Sequence, residues 1–568
     1  MREATIIIVG GDALALSAAQ ELSLMPGHRV VVLWPGDGEF AAAVEAAGAT
    51  FAAGRPDSRD GLCAAGVSDA ISILALSQDE QLNLQTALRA RDANPKIRIV
   101  LRQFNRSLAP KIEQNLPDCS VLSLAWHSAA TYAAAALDPS CLRGLQFPEP
   151  DGPLTGFAAR LAEAAGVAGL TIAEAEAAFG ARIIALDGAT DFEPAKAVAP
   201  DAQLIVFAPL DRLLDSAPRR PAPAIPTAPF GRLRGAARCS TRHLRHSDPY
   251  VTTFIAAGLA LFALGTWYFR AALGSTWLIA AYFVLSTMTT TGYGDITPHH
   301  NPADLLAAMA LMLLGVVFTG IFIAVVAARL TRAQWVRMQG LRPIRRRGHI
   351  VVCGCGSIGS GVIDLLLGFD KPLVVVEQTP DPVLVERARD RGFDLLTGDA
   401  SRDDTLDLCN LGAAHSLVAL TNVDTLNLEI ALGARARNPD MPIVLRIAEA
   451  AFASSIANHF QFETTFSVAA LAGPVFAGLS RLPGARGRIA FGGQEFAIVE
   501  LVLRGDIDPA LPRAAIPLAI AGPGGECTLV HDFAGRRPGS RALMLMPLAP
   551  LRDGRDGLPA VVARVAGG

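Results

Sequence analysis

Three uncharged stretches lie close together near the middle of the 568-residue chain. The first, at 249–269, would be roughly 31 Å long as a helix, which matches a hydrocarbon core of about 30 Å. The last, at 305–328, is long enough to cross a bilayer with some tilt. The one between them, at 277–287, is too short to cross and is suited to a helix that enters the membrane and turns back. The pattern therefore predicts two membrane spans around a re-entrant segment at 275–295.

The charges around these spans predict the orientation of the chain. Arginines are frequent at 232–245, before the first span, and at 329–347, after the second. The connecting loop carries a single Arg or Lys, Arg270. Positively charged flanks stay on the cytoplasmic side, so we expect a multi-pass protein of the cell (inner) membrane with both chain ends in the cytoplasm. The start of the chain lacks the features of a secretory signal, which agrees with this orientation.

The re-entrant segment ends in a sequence suited to coordinating a dehydrated cation. Its apolar part is followed by Thr290, Thr291, Gly292, Tyr293, Gly294 and Asp295. Non-helical backbone at membrane depth persists only where it is buried in protein or lines an aqueous cavity. Glycines on both sides of an aromatic residue allow alternating backbone conformations, which turn successive carbonyls toward one axis. Four such strands could replace the water shell of a potassium ion.

This segment resembles the selectivity filter of the potassium channel family. The resemblance implies that K+ is coordinated by the backbone carbonyls of Thr290, Thr291, Gly292 and Tyr293. The sequence departs from the family at Thr291, where Val or Ile is usual, so we expect different packing behind the filter. Tyr293 stands where non-selective relatives carry Asp, which favours selectivity for potassium.

The second span carries two glycines that have alternative interpretations. Gly315 lies 20 residues after Asp295, where the inner helix of this family has a bending glycine. Gly315 and Gly320 are therefore candidates for a gating hinge. Alternatively, both glycines allow close helix packing, since glycine is common in membrane helices. No helix has arginine at every third position, so we predict no voltage sensor.

Outside the pore, the sequence repeats itself with a shift of 344 residues. The shift takes Gly10 to Gly354 and Arg102 to Arg446. Each copy reads as an apolar strand, a glycine turn and a helix, followed by further strands and helices in alternation. This order predicts two doubly wound α/β domains with parallel sheets.

The C-terminal copy has a complete dinucleotide-binding fingerprint. A strand leads into a glycine-rich turn that opens a helix, and the next strand ends in an acid; the residues are Gly354, Gly356, Ser357, Ile358, Gly359 and Glu377. The glycines let backbone amides approach a pyrophosphate, and the Glu377 carboxylate accepts hydrogen bonds from ribose hydroxyls. Asp399, after the third strand, could add a polar contact. A glutamate would repel a 2′-phosphate, so we expect NAD or an adenine nucleotide rather than NADP.

The N-terminal copy has lost these features. The positions of Gly356, Gly359, Glu377 and Asp399 are taken there by Asp12, Ala15, Leu33 and Arg55. Asp12 would place a carboxylate where a pyrophosphate needs neutral backbone. We therefore predict a degenerate nucleotide site in this copy, which is either structural or differently liganded.

Both copies resemble the RCK domain (regulator of potassium conductance), also called the TrkA-type nucleotide-binding domain. The implied fold class is multidomain: an all-α, two-span potassium-channel pore with a re-entrant loop, two Rossmann-like α/β RCK domains and small α+β accessory domains. The expected order is an N-terminal RCK domain with the degenerate site (1–140), its accessory subdomain (141–216), a Pro-rich and basic linker (217–247), the pore domain (248–332, with outer helix 249–269, pore helix and filter 275–295 and inner helix 305–328), a linker (333–347), the C-terminal RCK domain with the fingerprint (348–470) and a divergent accessory domain (471–568).

The composition and net charge of the chain limit the kinds of molecule that it is expected to bind. The net charge of -3 and the pI of about 6.4 do not favour binding to nucleic acid. The eight cysteines are scattered and fit no pattern of zinc ligands. Asp403, Asp404 and Asp407 either bind a divalent cation or form a solvated helix start.

Together these features predict a ligand-gated potassium channel that is a homotetramer in the lipid bilayer and not an enzyme. K+ is the expected permeant ion, and a nucleotide or a divalent cation is the expected gating ligand. One alternative is a subunit of a potassium uptake transporter, whose pore chains fuse four span-loop-span repeats. Another is a membrane-tethered, NAD-dependent oxidoreductase. The sequence leaves open which ligand gates the pore and whether the ligand opens or closes it.

Overall fold

The computed structural model of the protein forms two compact units, Met1–Pro218 with Leu341–Gly568, and Arg219–Gly340. The first unit contains both copies of the repeat, and the second contains the pore segments. The predicted linker at 217–247 lies outside the described residues. The structure describes residues 4–25, 27–36, 38–103, 108–148, 152–163, 165–215, 249–298, 301–338, 343–462, 464–482, 484–503, 515–522, 526–533 and 539–548.

The N-terminal copy folds into a six-stranded parallel sheet with helices on both faces. Its strands lie in the order β3-β2-β1-β4-β5-β6, with β1 (Ala4–Val9), β2 (His28–Trp34), β3 (Thr50–Ala53), β4 (Ala70–Ala75), β5 (Arg98–Arg102) and β6 (Cys119–Leu122). The helices between them are α1 (Ala13–Ser23), α2 (Gly38–Ala46), α3 (Arg59–Ala64), α4 (Glu80–Ala93) and α5 (Ala109–Asn115). Ile6, Ile7 and Ile8 of β1 are fully buried, because helices cover both faces of a parallel sheet.

Helix α6 (Leu124–Leu137) leads from this sheet to a smaller antiparallel sheet. The smaller sheet has the order β7-β8-β10-β9, with β7 (Cys141–Gln146), β8 (Leu154–Leu161), β9 (Arg182–Leu186) and β10 (Gln203–Pro209), and it carries α7 (Ile172–Phe179) and α8 (Leu210–Asp215). Thr171 and Glu174 form a capping box at the start of α7. The box satisfies two N–H groups that the first turn of a helix leaves without partners.

The described part of the pore unit contains three helices, α9 (Pro249–Ala272), α10 (Trp277–Met288) and α11 (Pro302–Met338). Helix α10 is the predicted re-entrant helix and has 12 residues. Helix α11 has 37 residues and continues past its predicted end at 328. The linker predicted at 333–347 is therefore helical up to Met338, which corrects the prediction. The predicted span ended before Arg329 because that is the first charged residue after the apolar stretch. The residues that follow include Arg, Leu, Ala and Gln, which all favour a continued helix.

The described residues support the two predicted membrane spans to different degrees. By length and apolar composition, Pro302–Ala324 is the one described segment able to cross a membrane. Helix α9 has 24 residues, and the side chains of 249–255 lie outside the described part. An apolar cluster that includes Phe269, Phe283 and Leu311 joins α9, α10 and α11 to each other.

The C-terminal copy repeats the fold of the N-terminal copy. Its parallel sheet has the order β13-β12-β11-β14-β15-β16, with β11 (Ile350–Cys353), β12 (Leu373–Glu377), β13 (Asp394–Thr397), β14 (Ser416–Ala419), β15 (Ile443–Ile447) and β16 (Thr464–Ser467). Its helices are α12 (Ser357–Leu366), α13 (Pro382–Arg391), α14 (Asp403–Leu408), α15 (Asp424–Arg437), α16 (Ala450–Phe460) and α17 (Val468–Leu479). An antiparallel sheet follows in the order β17-β18-β21-β19-β20, with β17 (Ala485–Phe491), β18 (Gln494–Val502), β19 (Ile516–Ala521), β20 (Cys527–Leu529) and β21 (Arg541–Pro547).

Two of the helix contacts that join the two copies are made equivalent by the repeat. Helix α12 packs on α6, where a Cβ on Gly361 would lie 3.0 Å from the Cβ of Ala129. Helix α17 packs on α1, where a Cβ on Gly473 would lie 2.2 Å from the Oγ of Ser17. The shift of 344 relates Ser17 to Gly361 and Ala129 to Gly473. Each copy therefore offers the same two helices to the other.

Buried polar side chains add to this contact by bonding to backbone carbonyls of the other copy. The Tyr132 hydroxyl donates to the Phe466 carbonyl at 3.0 Å, and the Ser416 hydroxyl donates to the Ala136 carbonyl at 2.6 Å. Arg143 donates to the Leu471 carbonyl at 2.9 Å, and burial lowers the pKa of its guanidinium to about 10. The bonds satisfy groups that would be costly to bury without partners.

The substitution Gly473→Val should destabilise the contact between α17 and α1. The added side chain would overlap Ser17, and overpacking of this kind costs about 1–3 kcal/mol. The unfolding midpoint of the full-length protein, followed by scanning fluorimetry, should fall. The control is Gly412→Val, since a Cβ on Gly412 would meet no atom within 4 Å. Equal midpoints for the two variants would contradict the close contact.

Candidate functional site

A cavity of about 500 Å³ opens at the carboxyl edge of the second parallel sheet. Its size falls within the range of roughly 300–1,000 Å³ that is usual for small-molecule sites. It brings together six of the predicted nucleotide-binding residues: Gly354, Gly356, Ser357, Ile358, Glu377 and Asp399. Because parallel strands all end at this edge, the loops after β11, β12 and β13 converge on one space.

The three fingerprint positions are occupied by glycine for different structural reasons. Gly354 has φ +94°, and a Cβ there would lie 3.0 Å from the Thr421 backbone nitrogen. A Cβ on Gly359, which does not line the cavity, would lie 2.1 Å from the Gly354 carbonyl oxygen. Both residues are needed for the turn itself. A Cβ on Gly356 would meet no atom within 4 Å, so this glycine leaves space at the amino-terminal end of α12.

The Glu377 carboxylate, which lines the cavity, is held by backbone N–H groups. It accepts from Cys355 at 2.6 Å, from Gln378 at 3.0 Å and from Thr379 at 3.3 Å. A carboxylate fixed in this way is oriented before a ligand arrives, which lowers the entropy cost of binding. Its oxygens retain lone pairs for hydroxyl donors.

Asp399 follows β13 and lines the same cavity as the glycine turn. One of its oxygens accepts from the Ser401 N–H at 3.0 Å and from the Ser401 hydroxyl at 2.8 Å. These bonds stabilise the loop and orient the carboxylate.

Other residues line the same cavity without having been predicted to do so. Arg446, Thr421 and Asn422 come from the C-terminal copy, and Arg102 and Leu124 come from the N-terminal copy. The cavity is therefore bordered by both copies. Arg446 was visible in the sequence as a repeated residue, but nothing in the spacing indicated that it would lie beside the glycine turn.

The corresponding position in the N-terminal copy is filled by its own side chains. Asp12 accepts from the N–H groups of Leu14 and Ala15, both at 3.1 Å, at the start of α1. The Trp34 ring lies against Gly11, where a Cβ would be 2.1 Å from Trp34 Nε1. These contacts agree with the expected loss of a nucleotide site, which stays a prediction.

The filter segment alternates between backbone conformations. Thr290, Gly292 and Gly294 have φ values of +60°, +48° and +75°. The Thr291 hydroxyl lies 3.0 Å from the Thr289 hydroxyl, so the departure from Val or Ile at this position introduces a polar contact.

Aromatic and carboxylate groups lie beside the filter. Tyr282 of α10 is stacked on Tyr293 with 6.5 Å between the ring centroids. The Tyr282 hydroxyl donates to Asp295 at 3.1 Å. These contacts tie both the aromatic residue and the end of the filter segment to the re-entrant helix.

The inner helix touches the start of the filter segment through a glycine. A Cβ on Gly315 would lie 2.7 Å from the Cα of Met288, the last residue of α10, and the Thr319 hydroxyl donates to the Met288 carbonyl at 3.2 Å. The packing interpretation therefore applies to Gly315. A Cβ on Gly320 would meet no atom within 4 Å. The hinge role of both glycines stays a prediction, and Thr319 is a contact that the sequence pattern did not indicate.

The acidic residues around α14 are engaged by arginines. Asp404 is paired with Arg402 at 2.9 Å, and Asp403 and Asp407 are paired with Arg437 at 3.0 and 2.7 Å. Across the described ranges, no group of three or more His, Cys, Asp or Glu side chains is placed to hold a metal ion.

The geometry defines a class of protein in which a pore with a re-entrant helix is joined to two Rossmann-like domains. The chain carries two TrkA-N domains, over residues 6–118 and 350–464, and an ion channel domain over residues 251–332. These matches confirm the predicted resemblance and fold class, and they identify a membrane protein.

Curated relatives share parts of this arrangement. Potassium channel protein 1 of Methanocaldococcus jannaschii is 26% identical over 180 residues, which are 30% of this chain and 53% of that protein. The voltage-gated potassium channel Kch of Escherichia coli is 23% identical over 176 residues, which are 30% of this chain and 42% of that protein. The chain thus spans about half or less of the length of the relatives it matches.

Solved structures also align with the chain over most of its length. The structure described as the GsuK channel has a TM-score of 0.49 and 13% identity, and covers 97% of this chain and 78% of that chain. The GsuK channel bound to NAD has a TM-score of 0.48 and 13% identity, and covers 96% of this chain and 77% of that chain.

The alkylation rate of Cys355, in the glycine turn, should report on how open the turn beside this cavity is to solvent. Burial raises the pKa of its thiol, so less thiolate is present near neutral pH and alkylation should be slower than at the exposed Cys63. The rate at Cys355 should keep rising with pH above the usual range for a thiol. Mass spectrometry of peptides after timed iodoacetamide treatment measures both residues in one sample. Equal rates near neutral pH would show that the turn is open to solvent.

Proposed function

We propose that four copies of this chain form a potassium-selective channel whose opening depends on an adenine nucleotide, such as NAD or ADP, bound in the C-terminal copy. The observation that carries the proposal is the filter segment, where left-handed backbone at Thr290, Gly292 and Gly294 alternates with ordinary backbone at Thr291 and Tyr293. This alternation lets successive carbonyls face one axis and replace the water shell of K+. The curated relatives named as potassium channels support the same assignment.

A tetramer and a bilayer would together cover apolar surface of the pore unit. In the single chain, Leu278 is 81% exposed, Tyr293 is 71% exposed and Leu313 is 70% exposed. Apolar patches of this kind mark surfaces that meet lipid or another protein. We propose that both chain ends lie on the cytoplasmic side of the inner membrane and that the four chains together bring eight RCK domains, two from each chain.

The gating ligand is assigned from the cavity in the C-terminal copy. Helix α11 ends at Met338 and β11 begins at Ile350, so the chain between the inner helix and the nucleotide-binding sheet is short. Moving a gate from 1:99 to 99:1 needs about 5.5 kcal/mol. Spread over four sites, this is roughly 1.4 kcal/mol each, a tenfold preference of the ligand for one conformation. We propose a nucleotide rather than a divalent cation, because the acidic residues around α14 are paired with arginines.

The two alternative functions have less support. A transporter pore chain would need four span-loop-span repeats, and the ion channel match covers a single stretch, 251–332. The oxidoreductase alternative rests on the nucleotide-binding fingerprint alone, whereas the curated relatives are named as potassium channels.

The substitution Gly292→Ala should abolish potassium selectivity. Gly292 has φ +48°, and a left-handed conformation costs a residue with a Cβ about 1–2 kcal/mol. In lipid bilayers, the wild-type reversal potential should follow the potassium gradient by about 59 mV per tenfold ratio, and that of the variant should not. Gly274→Ala is the matched control, since Gly274 has φ +54°, lies before α10 outside the filter segment, and its Cβ would meet no atom within 4 Å. A wild-type reversal potential that ignores the potassium gradient would rule out the proposal.

The substitution Glu377→Ala should shift the response to NAD or ADP to a concentration about tenfold higher, because it removes a charge-assisted contact with the ribose hydroxyls. The conductance of the open pore should stay unchanged. Open probability is measured in excised patches while nucleotide is perfused over the cytoplasmic face. Glu386→Ala, which removes an exposed carboxylate of α13, is the control. A Glu377→Ala channel with the wild-type concentration dependence would place the ligand elsewhere.

A further inference from the structure

In the N-terminal copy, the start of α1 is occupied by a negatively charged side chain of the protein itself. The Asp12 carboxylate lies at the start of α1 and accepts from Leu14 and Ala15 at 3.1 Å each. Its second oxygen is paired with Arg102 at 2.8 Å. Arg102 is buried and also donates to the Leu76 carbonyl at 2.9 Å. A helix amino terminus and an arginine therefore hold one negative charge between them.

The C-terminal copy keeps the arginine and lacks the carboxylate. Arg446, the equivalent of Arg102, donates to the carbonyl of Leu420 at 3.3 Å and of Thr421 at 2.8 Å. Leu420 is the equivalent of Leu76 by the same shift of 344, so both arginines are anchored in the same way. In the described part of the chain, no carboxylate is paired with Arg446.

The space that Asp12 fills in one copy is open in the other. Gly356 stands at the position of Asp12, and α12 begins there without a side-chain cap. A Cβ on Gly356 would meet no atom within 4 Å, and both Gly356 and Arg446 line the cavity of about 500 Å³. One copy thus shows an arginine and a helix start with their anion, and the other shows the same pair beside open space.

We propose that the Asp12 carboxylate is a built-in substitute for a ligand phosphate, and that Arg446 is the residue that receives that phosphate in the C-terminal copy. The N–H groups equivalent to those that bond Asp12 belong to Ile358 and Gly359. A phosphate at this place would accept from them and from the Arg446 guanidinium, which can donate two parallel bonds. The assignment rests on the proposed nucleotide function and adds to it the group that recognises the phosphate.

The first test compares ligands with and without phosphate. Arg446→Gln in the full-length protein should weaken binding of ADP and NAD about tenfold or more, whereas binding of adenosine should change little. Arg389→Gln, on the exposed side of α13, is the control and should bind all three like the wild type. Isothermal titration of the purified channel measures the affinities. Unchanged ADP affinity, or an equal loss for ADP and adenosine, would overturn the role of Arg446.

The second test transfers the built-in anion to the other copy. Gly356→Asp should abolish ADP binding and raise the unfolding midpoint above that of Gly356→Asn, which has the same size and no charge. The difference should vanish when Arg446→Gln is added to both variants, because the new carboxylate would then lack its partner. Equal midpoints for the Asp and Asn variants would overturn the assignment.

The two tests separate the failure of this inference from the failure of the proposed function. A wild-type protein that binds neither ADP nor NAD would refute nucleotide gating, while the midpoints would still show whether Arg446 accepts an anion at Gly356. A wild type that binds both, together with variants that bind equally well, would refute only the assignment of Arg446.

Discussion

Helix α12 connects the cavity to the contact between the two copies, and the other features of the first unit depend on how it is held. Its amino-terminal end opens at Gly356 into the cavity. Its side packs on α6, with Gly361 against Ala129. Helix α6 is buried along almost its whole length, and a close-packed interior has little free volume. A displacement of α12 would therefore disturb its packing against α6.

Among the described residues, the equivalent contact, between α1 and α17, has no cavity at the amino-terminal end of α1. Helix α1 packs on α17 in the same way, but its amino terminus is already occupied by Asp12, which is paired with Arg102. Removing that carboxylate would take the side-chain cap from the N–H groups of Leu14 and Ala15, at a cost of about 0.5–2 kcal/mol. Of the two helix contacts related by the repeat, one ends at a helix start that the chain caps with its own carboxylate, and the other ends at an uncapped helix start that opens into the cavity.

The fold of the two α/β domains was predictable because each of their six strands occurs twice in the same order, so each copy supports the assignment of the other. The filter segment and the glycine turn were predictable for a related reason, since both are continuous in sequence. The position of Arg446 beside the glycine turn was not, because its counterpart Arg102 meets Asp12 across 90 residues of chain. The contact of Thr319 with Met288 joins elements 31 residues apart, and no local pattern marks it. The true end of α11 was missed because charge sets the limit of a membrane span but not the limit of a helix.

The magnitudes indicate that one contact in each subunit could supply the free energy for gating. Shifting the gate needs roughly 1.4 kcal/mol of ligand-binding free energy per site. A hydrogen bond to a charged group contributes about 1.5–3 kcal/mol. Arg446 is anchored at the end of β14 through Leu420, whereas the N–H groups of Ile358 and Gly359 belong to α12. A phosphate held by both would bridge two elements of the sheet edge. Its bonds would weaken steeply if α12 moved away from β14 by about an ångström, because hydrogen bonds tolerate little change in length. The ligand would then favour one spacing of α12 and β14, and the packing of α12 on α6 would pass that preference to the rest of the unit.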